Sequence, residues 1–181
     1  MERMDRARQM TEGEIPGLLL KFSLPAIIGM VVHALYTFVD SVFVGRGVGE
    51  LALAGITVGF PIVIIIMAFI MLIGMGATTL ISIRLGEKKH SEAELIVGNA
   101  LGLFFVLGLV LTILGFVFIE PLLAIFGASS DVLPYSLDYM RIILLGILFV
   151  AFGLGMNNFI RAEGNPKTAM YTMLIGAITN I

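Results

Sequence analysis

The stretch LALAGITVGFPIVIIIMAFIMLIGMGATTLISI, from Leu51 to Ile83, runs for 33 residues without a charged side chain. A helix rises about 1.5 Å per residue, so the run would reach ~50 Å against a hydrocarbon core of roughly 30 Å. It therefore crosses a bilayer with tilt, or with turns that project from it. Three further uncharged runs flank it: Phe22–Val39 with 18 residues, Leu95–Ile119 with 25 and Ile142–Ile160 with 19. A fifth, Thr168–Ile181, has only 14 residues and reads as a helix cut short. The spacing predicts helices over about 18–44, 51–83, 95–119, 136–160 and 168–181, after a cytoplasmic segment over 1–17.

Composition agrees with that reading. Of 181 residues, 59% are hydrophobic and 13% charged, whereas soluble domains carry about a quarter charged residues. So much apolar surface does not fit inside one soluble core of this size, and the lipid bilayer becomes the expected solvent. The fold class predicted is an all-α membrane protein, a polytopic helical bundle.

Several functions fall away. A net charge of −2, with no Lys/Arg cluster among aromatics, gives no nucleic-acid footprint. The absence of cysteine removes disulfides, thiolate metal sites and cysteine nucleophiles. His33 and His90 lie far apart, and no cofactor motif is present. Gly74-Met75-Gly76 sits inside a span and is no phosphate loop. The first apolar run lacks a small-residue cleavage site and reads as a retained helix.

Basic residues set the expected orientation. Nine of the eleven fall on one side: Arg3, Arg6, Arg8 and Lys21; Arg84, Lys88 and Lys89; Arg161 and Lys167. Only Arg46 and Arg141 fall on the other. That asymmetry alternates with each crossing and predicts a cytoplasmic N-terminus in a cell membrane of bacterial, inner-membrane type. Tyr135 and Tyr139 stand where interfacial anchors of helix four are expected.

One residue breaks the pattern. Asp40 is the acid that the uncharged runs place within the hydrocarbon, in the outer half of helix one. An ionised carboxylate at a helix centre costs roughly 2.5–3.5 kcal/mol, so it faces a cavity or partner, or is neutralised by a proton or cation. The competing reading is an interfacial Asp that reaches the headgroups, since Val44 ends the run four residues on. His33, Thr37 and Asp40 recur at i, i+4 and i+7 on one helix face, with Tyr36 beside them. Such a stripe is expected to face protein or water and to line a pathway or a substrate. His33 titrates near physiological pH or, equally, is a neutral ring bonded to a neighbouring helix. Pro25 should bend or loosen helix one. Gly98 and Gly102, a G-x-x-x-G on helix three, with Gly146, Gly153 and Gly155 on helix four, should let helices approach closely. Asn157 and Asn158 read as helix-to-helix bonding groups.

With these residues in view, the chain resembles the N-terminal half of bacterial MATE (multidrug and toxic compound extrusion) transporters. The likeness is carried by Leu20-Lys21-Phe22-Ser23-Leu24-Pro25-Ala26, by Asp40 followed by Gly45-Arg46-Gly47-Val48-Gly49, and by Leu51-Ala52-Leu53-Ala54-Gly55. It continues through Ile83-Arg84-Leu85-Gly86-Glu87 and Asn158-Phe159-Ile160-Arg161-Ala162-Glu163-Gly164-Asn165-Pro166. The resemblance implies the N-lobe of a twelve-helix exporter that uses Na⁺ or H⁺ to expel organic cations. On that pattern Asp40 binds the coupling ion, Asn180 supplies an amide from helix five, and Pro25 marks the bend of helix one. It also implies an acid on a sixth helix and a C-terminal lobe, both missing from this chain.

The function expected is a secondary multidrug antiporter, of which this chain is a part, with small organic cations or drugs as substrate and the bilayer and second lobe as partners. Two rivals stay open. A flippase for lipid-linked oligosaccharides would be expected to place Arg/Lys well inside the bilayer, which the four full helices do not. A non-transporting scaffold leaves the His33–Thr37–Asp40 stripe unexplained. An enzyme is not expected, because two helical turns, roughly 10 Å, separate His33 from Asp40.

Overall fold

The computed structural model describes residues 15–180, apart from the side chains of Leu18, Lys21, Phe22 and Asn180. Most of the predicted cytoplasmic segment, including Arg3, Arg6 and Arg8, thus lies outside the described residues. Among the described residues five helices follow one another: α1 (Ile15–Gly47), α2 (Glu50–Gly86), α3 (His90–Ile125), α4 (Leu133–Ala162) and α5 (Pro166–Asn180). Among the described residues there is no strand. Four helices are long and apolar enough to cross a membrane: 23–47 within α1, then α2, α3 and α4. The protein is an all-α, polytopic membrane bundle.

Each helix outruns its uncharged stretch. Arg84 ends α2 inside the last turn, Glu92 enters the first turn of α3, and α3 continues past Ile119 through Glu120 and Pro121. The reason is physical. A charge marks where the chain leaves hydrocarbon, but Arg and Glu are good helix formers and the backbone ladder continues into the headgroup layer.

The turns end helices with one recurrent device. Gly127 donates to the Ala124 carbonyl and Ala128 to that of Leu123; Gly164 donates to Arg161 and Asn165 to Ile160. This is the Schellman pattern, with glycine left-handed at φ 95° and 77° respectively. At the end of α2 the same bonds run from Lys88 to Leu85 and from Lys89 to Arg84. There a lysine holds the left-handed position, at φ 60°. An ion-pair clasp closes that turn: Arg84 meets Glu87 at 2.7 Å and Glu92 at 3.0 Å, and Lys89 meets Glu87 at 3.1 Å.

The chain divides into two compact units. The first contains residues 15–39, 75–98 and 156–180; the second contains 40–74 and 99–155. Both basic turns, with Arg84, Lys88, Lys89, Arg161 and Lys167, belong to the first, while Arg46 and Arg141 belong to the second.

In the second unit α4 is the centre. Ser136, Met140, Leu144, Ala151 and Gly155 are buried at helical spacing along one face. Neighbours reach that face through glycines. A Cβ added at Gly55 of α2 would lie 3.0 Å from the Ser136 nitrogen, and one at Gly59 would lie 2.9 Å from Met140 Sδ. On α3, Gly108 and Gly115 make room for Leu148 and Leu144, and Gly155 makes room for Phe104. Ser136 Oγ donates to the Gly55 carbonyl at 3.1 Å, and Thr112 Oγ1 to that of Leu144 at 3.1 Å. Hydroxyl-to-carbonyl bonds between helices contribute about 1 kcal/mol each in a membrane.

The G-x-x-x-G expectation is corrected here. Among the described residues, a Cβ at Gly98 or Gly102 would meet nothing within 4 Å, and neither would one at Gly146 or Gly153. Gly155 alone of those five is in close contact.

Candidate functional site

Asp40 stands seven residues before the end of α1 and is half-buried. The continuous helix places it there: Val39 and Ser41 to Val44 complete its last turns, and Gly45 to Gly47 end them. Tyr139 of α4 lies within electrostatic reach of its carboxylate. Its ring also packs on α2, with Cδ1 at 3.8 Å from a Cβ built at Gly59. Three helices of the second unit thus converge: α1 brings the acid, α4 the phenol, and α2 a glycine that lets the ring in.

Tyr139, expected as an interfacial anchor, is half-buried and faces the acid electrostatically. Tyr135, one turn earlier, is exposed and fits an anchor better. Depth is the signal that could have found Tyr139. It lies six residues from the start of α4, as Asp40 lies seven from the end of α1. A phenol O–H can donate to a carboxylate, and its oxygen can accept from a proton carrier or face a cation. Among the described residues no three His, Cys, Asp or Glu side chains group as a metal centre.

The remaining predicted residues gather in the first unit. His33 is exposed, and its ring meets that of Tyr36 at 5.7 Å between centroids, tilted by 31°. Thr37 Oγ1 donates to the His33 carbonyl at 3.0 Å, a back-bond within the helix that Thr57, Thr79 and Thr179 repeat. Pro25 is buried, as is Gly29 one turn on, and α1 continues through both. Pro25 withholds the backbone N–H that an interior helical residue would donate. Asn180 closes the described part of α5, and its side chain lies outside the described residues.

Charge at the turn between α2 and α3 differs in kind from that at Asp40. Glu87 is solvated, and the hydrogen bond from Arg84, then that from Lys89, holds its carboxyl below the usual range. It belongs to a structural clasp.

Apolar helices that exceed the membrane thickness, packed on one another through glycines, define a polytopic α-helical membrane protein. Residues 25–181 match the MatE family, and the chain belongs to it. It is 29% identical over 160 residues to a probable multidrug resistance protein, YoeA, of Bacillus subtilis, covering 88% of this chain and 35% of that protein. It is 31% identical to an FAD transporter of Shewanella oneidensis, over 91% of this chain and 36% of the relative. Among solved structures it superimposes on the MATE multidrug transporter DinF-BH in complex with R6G, with a TM-score of 0.86 and 43% identity, over 91% of this chain and 37% of that one. The chain spans a little over a third of the length of these relatives, which are transporters and not enzymes.

Proposed function

We propose that this chain forms the N-terminal lobe of a secondary antiporter that expels small organic cations in exchange for Na⁺ or H⁺. The observation that carries the proposal is Asp40 beside Tyr139 on apolar helices of a MatE-family chain. Relatives named for multidrug export, and a solved neighbour that holds R6G, support the substrate class. The coupling ion enters from outside, neutralises Asp40 and favours release of the drug; the drug, bound from the cytoplasm, displaces the ion. Each ligand alters the affinity of the other by the same factor, because both act on one carboxylate. Asn180 supplies a second, uncharged ligand for the ion from α5. His33, Tyr36 and Thr37 line the pathway, and Pro25 gives α1 a place to bend. The grouping of the basic turns in one unit supports a cytoplasmic N-terminus in the cell membrane.

The test is Asp40→Asn in a full-length transporter that carries this chain, reconstituted in liposomes. A Na⁺ gradient without ΔpH, and ΔpH without Na⁺, are imposed separately. The variant, permanently neutral at this position, should bind dye more weakly, and gradient-driven efflux should fall at least tenfold under whichever gradient drives the native protein. Efflux from the variant at the native rate would remove Asp40 from the mechanism.

A further inference from the structure

A knot of polar groups ties the inner parts of α4 and α5. Asn157, half-buried on α4, donates from Nδ2 to the Ala169 carbonyl at 2.8 Å and to Thr172 Oγ1 at 2.9 Å. Thr172 Oγ1 in turn donates to the same carbonyl at 2.8 Å. A carbonyl only accepts, so it is the amide nitrogen that must face it, and both N–H groups are spent on α5. Four residues further along, Arg161 donates to Met173 Sδ at 3.3 Å. Met173 lies against α1, where a Cβ built on Gly29 would fall 2.9 Å from the same sulfur.

A leucine at 157 would hold two apolar helices together without the cost of burying an amide. What the amide adds is direction. Dispersion contacts leave a helix free to turn about its axis, whereas bonds to one carbonyl and one hydroxyl fix that rotation. The fixed face can be followed along α5. Ala169, Met173, Gly176 and Asn180 recur at i, i+4, i+7 and i+11, which is one stripe of a helix. Ala169 is fully buried and Met173 meets α1. Asn180 ends the stripe.

We propose that Asn157 is a positioning residue: it sets the rotation of α5, and through it the face on which Asn180 is presented. The inference rests on the reading of Asn180 as a ligand of the coupling ion. Turning a helix by about 20° shifts groups at its surface by roughly 1–2 Å. Binding constellations tolerate about 0.5 Å.

The absence of cysteine from this chain allows a direct test. In a full-length transporter that carries the chain, freed of any cysteine elsewhere, a spin label goes on Ile178→Cys, which is 75% exposed. Asn157→Ala, Thr172→Val and Thr172→Ser are compared by label mobility and by ion-driven efflux. In the first two the label environment should change. The half-saturating concentration of the coupling cation should rise about three- to tenfold, the loss of one or two hydrogen bonds, while the KM for dye at saturating cation changes less than twofold. Thr172→Ser should restore both. Thr172→Val removes both bonds of its own hydroxyl but leaves that from Asn157 to the Ala169 carbonyl, and carries the test if Asn157→Ala fails to fold. An unmoved label in both variants overturns the positioning role. A label that moves while cation dependence stays native supports that role and overturns the assignment of Asn180 to the ion site.

Discussion

Alanine at Gly155 should destabilise the fold, while alanine two residues earlier should stabilise it. A Cβ at Gly155 overlaps the edge of the Phe104 ring, with Cζ at 2.7 Å and Cδ2 at 3.1 Å. Phe104 has no accessible surface and stands edge-on to Phe152, with centroids 6.5 Å apart and planes at 62°. Its ring therefore moves only by displacing a second ring. Overpacking of this kind costs about 1–3 kcal/mol, and alanine recovers ~1 kcal/mol over glycine in a helix. With several ring atoms involved, the net loss is about 1–2 kcal/mol. At Gly153 no atom lies within 4 Å of the added carbon, so only the propensity gain of ~0.5–1 kcal/mol remains. At ~2–4 °C per kcal/mol for a chain of this size, the two variants should melt roughly 5–10 °C apart. Thermal unfolding of the purified protein in detergent measures the difference, and adding Phe104→Leu to Gly155→Ala should close most of it. If Gly155→Ala melts at or above Gly153→Ala, the contact between α3 and α4 is misplaced.

Lys88→Gly should raise stability by ~1 kcal/mol, because a left-handed residue with a Cβ is strained where Gly127 and Gly164 are not; the same melts check it. Glu87 titrates below its ordinary range in the folded protein. Its share of the clasp is therefore fully present above the unfolded-state carboxyl value and is lost as pH falls through the lower folded value. Melting of the native protein should drop across that acidic window, while Glu87→Gln should show a shallower drop, and 1 M salt should remove most of the contrast; parallel curves at low salt would refute the clasp. Ser136→Ala should cost about 1 kcal/mol through the lost bond to the Gly55 carbonyl, read by denaturation in detergent; no change would mean that the hydroxyl contributes nothing to the α2–α4 contact.

The spans were legible because the physics that makes them is one-dimensional. A run of 33 uncharged residues needs no partner to be read as a crossing. Helix ends were less legible, since a charge reports the water boundary and not the end of the backbone ladder, as Arg84 and Glu120 illustrate. Asp40 was legible for its cost in hydrocarbon. Tyr139 was not, because its relation to Asp40 spans 99 residues of sequence and depends on which way α4 turns.

That rotation is what a membrane sequence conceals. In a soluble helix one face is apolar and the other polar, so the buried side can be read from the spacing. Here lipid and protein are equally apolar, and Leu144, fully buried, differs in no local way from Leu145, which is 65% exposed. Small residues are the remaining clue, and they mislead as often as they help: Gly155 receives Phe104, while Gly98 and Gly102 receive nothing on the described chain. What finally fixes the facing is polar. Ser136 on α4 finds the Gly55 carbonyl, and Asn157 finds Ala169 and Thr172, each at a distance an apolar side chain could not enforce. Polar side chains in such helices therefore separate into two kinds: those that spend their donors on a neighbouring backbone and set the rotation, as Asn157 does, and those that carry a charge the bilayer does not tolerate, as Asp40 does.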